Sequence, residues 1–315
     1  LLLLFIVTLQ LKMDSIILIF ICLLAGVALQ RVKAFPANVY VALNQFVIYI
    51  SLPALALYYI PKIDINTSLL YPLGVAWLGF GFSLLFFTIL SKIFNWPRKL
   101  TGCLILTAGL GNTAFVGFPV IEALYGKEGL KTAIIVDQPG TFVVMATVGI
   151  IVAVAYSKGR GENVSILRKI LLFPPFMAFV VGLVMNILGF DFHDALASVF
   201  QRLGSTVTPV SLVAVGMQLK IDAKNKHWKF LALGLFFKLV LMPAFFFILY
   251  KTLLGADGLE IDVSVMEAAM APMITASILA ASHGLKPRLA GMMVGVGIPL
   301  SFLTLACWYY IIQNF

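Results

Sequence analysis

The chain alternates between long apolar stretches and short clusters of charge, proline, glycine and asparagine. Each stretch is about as long as a bilayer is thick. Read between those clusters, the pattern predicts ten helical spans, at 14–32, 38–60, 69–91, 100–125, 129–156, 169–190, 197–219, 228–254, 261–283 and 288–312. No connection is long enough to hold a soluble domain; the longest, Ser157–Arg168, carries Lys158, Arg160, Glu162 and Arg168. Residues 1–12, LLLLFIVTLQLK, precede Met13 and lack the basic start and small-residue cleavage site of a signal peptide, so they read as a leader or an N-terminal fragment of doubtful origin at the membrane interface.

The pattern also repeats. Gly26 in the first span is answered by Gly182 in the sixth, and Pro53 of LPALAL by Pro209 of TPVSLVAVG, an offset of about 156 residues. The fourth and ninth spans each contain a proline, Pro119 and Pro272, followed by glycine-containing turns. This divides the chain into a first repeat, 13–156, a linker, 157–168, and a second repeat, 169–315. Five spans per half is an odd number, so the two halves insert with opposite orientation. Inverted repeats with paired interrupted helices are the plan of many secondary transporters.

Composition closes off the soluble alternative. Of 315 residues, 62% are hydrophobic and only 11% charged, against about a quarter charged in ordinary soluble domains. The basic residues are distributed unevenly across the ten spans. One side holds Lys12, Lys62, Lys127, Lys131, Arg202 and Lys251, and the other holds fifteen, from Arg31 to Arg288. The positive-inside rule places the second side in the cytoplasm and both termini outside, in the cell (inner) membrane. The net charge of +9 then belongs to cytoplasmic loops and not to nucleic-acid binding. Cys22, Cys103 and Cys307 are far apart in apolar runs, without metal-ligand spacing. His193, His227 and His283 fall in loops or at span ends, and no metalloprotease, hydrolase or phosphate-loop motif occurs. Neither an enzyme nor a bound cofactor is expected.

The candidate chemistry lies inside the spans. In TAGLGNTAFVGFPVIEALYG, three glycines and Pro119 weaken the fourth helix and bring Asn112 and Thr113 near the bilayer midplane. In VMEAAMAPMITASILAASHG, Pro272 does the same for the ninth. Irregular backbone at that depth is tolerated only against protein or a water-lined cavity. Proline suits the first turn of a helix, so each second half-helix is expected to begin at its proline and offer free N–H groups to an anion. Four ionisable residues lie within spans: Glu122, Asp137, Lys238 and Glu267. Such residues are costly in a membrane and commonly functional. Glu122, near a span end, can also simply reach water. Lys238 is too deep to snorkel easily, and an ion pair with Asp137 or Glu267 is one expected arrangement.

The runs GNTAFVGFP, FVIYISLPALAL, LGSTVTPVSLVAVGMQL and EAAMAPMITASILA resemble the auxin efflux carrier family from Met13 onward. The resemblance implies a fold like that of bile acid:sodium symporters. Ten spans would form two inverted repeats, with the fourth and ninth spans crossing at the centre. Spans one, two, six and seven would form a scaffold, often dimeric. It also implies a crossover at Pro119 and Pro272 with Asn112 as a polar ligand. The plant members carry a long central loop, where this chain has only about a dozen residues.

The chain is thus expected to be an all-α membrane protein that moves a small organic anion, auxin- or malonate-like, by alternating access. Asn112, Thr113, Pro119, Pro272 and Lys238 are the expected substrate residues. Asp137, Glu267 and Gln138 are expected to take the coupling H+ or Na+. A cation antiporter, a bile-acid-type sodium symporter and a receptor that binds without transporting are the competing readings.

Overall fold

The computed structural model describes residues 2–36, 38–157, 171–219 and 227–315. Among them the chain is all helix, turns and a single β-bridge, with no strand. The linker predicted at 157–168 lies outside the described residues from residue 158 onward. So do the predicted cytoplasmic residues Lys158, Arg160, Arg168, Lys169, Lys220, Lys224 and Lys226.

The helices are α1 (Leu2–Leu29), α2 (Val39–Lys62) and α3 (Thr67–Ile93), α4 (Arg98–Gly109), α5 (113–125) and α6 (127–156). They continue with α7 (Pro174–Ile187), α8 (Asp194–Gly204), α9 (Val207–Gln218) and α10 (Trp228–Leu253). The last are α11 (Leu259–Ala268), α12 (Ile274–Ser282) and α13 (Pro287–Asn314). Helix runs up to Gly126 and on from it, and Gly126 lies between α5 and α6 at φ 69°, a left-handed conformation open to glycine. The turn is real, because Thr113 and Asp137 hydrogen-bond across it. In a straight helix, 24 residues would hold them about 36 Å apart.

Five helical runs are long and apolar enough to cross a membrane: Val39–Lys62, Thr67–Ile93, Thr113–Tyr156, Trp228–Leu253 and Pro287–Asn314. Ile16–Leu29 and Pro174–Ile187 are apolar but shorter. Large side chains such as Leu24, Leu85, Ile187 and Leu303 are left outside the protein core. Water does not tolerate that much exposed apolar surface, but hydrocarbon does. The remaining predicted spans are divided. Span four is α4 plus α5, span nine is α11 plus α12, and span seven is α8 plus α9, separated at Ser205 and Thr206.

The chain packs as two compact units, and each draws on both sequence halves. One comprises residues 1–65, 114–134 and 171–219. It collects spans one, two, six and seven, the set that the resemblance implies for a scaffold, together with 114–134 of spans four and five, which the resemblance does not place there. Its helices approach closely: a Cβ on Gly26 of α1 would strike the Val213 carbonyl of α9, and one on Gly216 of α9 would strike the Leu23 carbonyl of α1. The Gln30 amide donates to the Gly216 and Leu219 carbonyls at 2.8 and 3.1 Å. The Asn186 amide donates to the Ile60, Pro61 and Ile63 carbonyls at 3.2, 2.9 and 2.7 Å. Adding 156 to 30, 60 and 63 gives 186, 216 and 219, so the two clamps use corresponding positions with donor and acceptor spans exchanged.

The other unit comprises residues 66–113, 135–170 and 220–315. Phe237 of α10, fully buried, packs its ring against Phe82, Phe86 and Phe87 of α3 at centroid distances of 4.9, 4.8 and 4.9 Å. That cluster fixes the turn carrying Lys238.

Candidate functional site

Two interrupted helices meet in the second unit. After α4 the backbone is extended at Leu110 (φ −115°, ψ 128°). After α11 it leaves the helix at Ala269 and resumes at Ile274. Gly111 and Pro272 pair as an antiparallel bridge. The Asn112 N–H donates to the Ala271 carbonyl at 2.8 Å, and the Met273 N–H to the Leu110 carbonyl at 3.0 Å. Each break thus meets backbone hydrogen bonds that the other lost, which is what apolar surroundings demand.

The two prolines act differently from one another. Pro272 lies inside its break, and α12 begins two residues after it, at Ile274, and not at the proline itself. Pro119 does not mark the other one: that break falls at 110–112, and helix resumes at Thr113 with a widened π-turn to Gly117. Pro119 is the second residue of the regular α-helix that follows. Having no N–H, it leaves the Phe115 carbonyl unclaimed. In the first unit the Ser211 hydroxyl donates to that carbonyl at 3.0 Å. Pro119 therefore shapes a helix and does not form the bridge.

The same logic places Lys238. The helix ends at Ala268, and the extended residues around Pro272 bring no N–H back to the Ala268 carbonyl. The Lys238 ammonium donates to it instead, at 2.9 Å. Lys238 itself sits in the π-turn Phe237–Leu241, just before Pro243. Pro243 frees the Leu239 carbonyl, and the Trp308 indole N–H of α13 donates to it at 3.0 Å. Gly111 makes room for the ammonium, since a Cβ there would stand 3.1 Å from Lys238 Nζ.

Asp137 and Gln138 lie in another π-turn, Val136–Phe142, with Pro139 inside it. Both are buried. The Asp137 carboxylate accepts from the Thr113 hydroxyl at 2.6 Å and from the Gln138 amide at 2.7 Å. Glu267, in the last turn of α11, is fully enclosed, and neither of its carboxylate oxygens has a protein hydrogen-bond partner. It lines the same small cavity as Lys238 and as Thr113, the donor to Asp137. The expected ion pair is not formed. Among the described residues, no carboxylate oxygen comes within 4.0 Å of Lys238 Nζ.

Gly111, Thr113, Lys238, Glu267 and Ala268 line a cavity of about 10 Å³, which holds about one water. An organic substrate does not fit there in this conformation. Asn112, Thr113, Pro272, Lys238, Asp137, Gln138 and Glu267 thus gather in one unit, while Pro119 belongs to the other. Glu122 also lies in the first unit, half-buried, and accepts from the Thr208 hydroxyl at 2.8 Å. Sequence reasoning missed Gly111 and Ala268. Their role is to admit and accept the Lys238 ammonium; the GLG run signals flexibility but not that neighbour.

Comparison with known proteins is consistent with these features. The model of a family described as membrane transport protein matches residues 11–309. An uncharacterized transporter of Methanocaldococcus jannaschii is 26% identical over 97% of this chain and 100% of its own length. An uncharacterized transporter of Methanothermobacter thermautotrophicus is 24% identical over 94% of this chain and 96% of its own. The chain belongs to the membrane transport protein family, the auxin efflux carrier family that its motifs resemble.

Proposed function

We propose that the protein is a secondary transporter that moves a small organic anion across the cell membrane by alternating access, coupled to a proton at Asp137, Glu267 and Lys238. One observation carries this reading: two buried carboxylates and one buried ammonium share a site at the bridge of two interrupted helices. Fully ionised, the three carry one excess negative charge. An uncompensated buried charge is too costly to keep. One proton or one monovalent cation removes the excess, and the cavity is of that size. Transport-family membership supplies the class.

The reading includes ten spans in two inverted repeats, both termini outside the cytoplasm, and a homodimer formed through spans one, two, six and seven. The exchanged clamps of Gln30 and Asn186 support the repeat, because an inverted pair of halves swaps donor and acceptor spans in this way. For the substrate, Asn112, Thr113 and Lys238 supply donors and positive charge, Pro272 forms the bridge beside them, and Pro119 shapes the helix after it. The test is counterflow of labelled small carboxylates, such as malonate and phenylacetate, into proteoliposomes. Saturable exchange is expected, and its absence for every carboxylate would exclude an anion carrier.

A cation/proton antiporter is the second reading. It is favoured by the placing of Asp137 and Glu267, which are distant in sequence yet gather at one cavity, Asp137 through its donor Thr113. Sodium-driven proton flux with no organic anion present would select it.

A further inference from the structure

The first unit contains a concavity of about 200 Å³ that belongs to none of the features above. It lies among α2, α8 and the α5–α6 turn. Leu55, Tyr58 and Phe200 form an apolar and aromatic wall, and Lys127, Arg202 and Glu122 contribute charge. The volume is below the range of drug-sized pockets, roughly 300–1,000 Å³, so any ligand is small.

Each charge has a bland explanation. Arg202 is in the last turn of α8, where a cation complements the helix dipole. Lys127 is exposed beside the Glu128–Lys131 ion pair. Two facts set them apart from scattered surface charge. Both converge on one concavity with an apolar wall, and neither has a carboxylate within 4.0 Å among the described residues. Glu122, the only carboxylate lining the pocket, is held by the Thr208 hydroxyl. The lining carries two positive charges and one negative, a surplus that a single monoanion cancels.

We infer that this concavity is a second anion site, taking a small amphiphilic anion with its charged head on Lys127 and Arg202 and its apolar body on Leu55, Tyr58 and Phe200. The inference builds on the anion-carrier reading, in which such a pocket holds substrate outside the Lys238 cluster. The same chemistry would also suit the head of an anionic lipid.

Phenylacetate binding to the purified full-length chain in neutral detergent, followed by calorimetry, tests it. Wild type is expected to bind saturably. K127Q/R202Q is expected to weaken binding at least tenfold, K127R/R202K to retain most of it, and Lys92→Gln, at an exposed cation outside the pocket, to leave it within about threefold. Acetate, a head without a body, is expected to bind at least tenfold more weakly than phenylacetate. No saturable binding by wild type, or equal binding by K127Q/R202Q, overturns the inference. Saturation by phosphatidylglycerol in nanodiscs with no phenylacetate binding assigns the pocket to lipid and overturns it too. Counterflow separates the two proposals. Intact carboxylate exchange by wild type with unaltered binding in K127Q/R202Q defeats only the pocket. Binding lost in that variant, with no exchange by wild type, defeats only the carrier.

Discussion

Asp137 shows how a single charge is kept inside a membrane. Its carboxylate has two donors, Thr113 and Gln138, and a hydrogen bond to a charged group contributes about 1.5–3 kcal/mol. Thr113→Val removes one donor without changing the side chain's shape. Coupled uptake is expected to fall about tenfold or more, and Thr113→Ser to restore most of it; equal rates for all three proteins would show that this bond does not matter. Gly111→Ala tests the approach of Lys238. A Cβ at 3.1 Å from Nζ forces the ammonium or the bridge to shift. Uptake is expected to drop severalfold with little change in expression, and an unchanged rate would remove Lys238 from the mechanism. The charged residues themselves were legible in the sequence, because an ionisable group in an apolar run is conspicuous. Their partners were not. The expected Lys238 ion pair gave way to the Ala268 carbonyl, since α11 ends there and the break leaves that oxygen open.

At the scale of elements, prolines placed the irregularities but did not name their use. Pro119 and Pro243 each free a carbonyl that Ser211 and Trp308 claim, and the break around Pro272 leaves the Ala268 carbonyl to Lys238. A sequence pattern shows the missing N–H but not the distant donor. This is why Pro119 read as the break of the fourth span when the extended residues are 110–112. The offset of 156 was visible in Gly26 and Gly182, yet its more informative carriers are Gln30 and Asn186, whose amides clamp opposite helix ends. Each carries two or three hydrogen bonds of about 1 kcal/mol apiece. Gln30→Ala and Asn186→Ala are each expected to lower the thermal unfolding midpoint in detergent by several degrees, and by similar amounts. A large loss in one with none in the other would argue against equivalent roles. Gly216→Leu, which forces α1 and α9 apart, is expected to prevent folding into a monodisperse protein; a wild-type elution profile would contradict the close approach.

For the molecule as a whole, the apolar pattern made the membrane class plain, because helix length and hydrocarbon thickness are the same physical constraint. The meeting of two breaks in one bridge was less accessible. It depends on backbone hydrogen bonds between segments some 160 residues apart. The central claim is that the excess charge of Asp137, Glu267 and Lys238 is where a proton couples to the anion. It is tested most directly by carboxylate uptake into proteoliposomes with an imposed pH gradient, with and without sodium, for wild type, Asp137→Asn and Glu267→Gln. The account predicts gradient-driven accumulation by wild type. It also predicts that in at least one variant exchange persists while the gradient no longer drives accumulation. Full gradient dependence in both variants would contradict it.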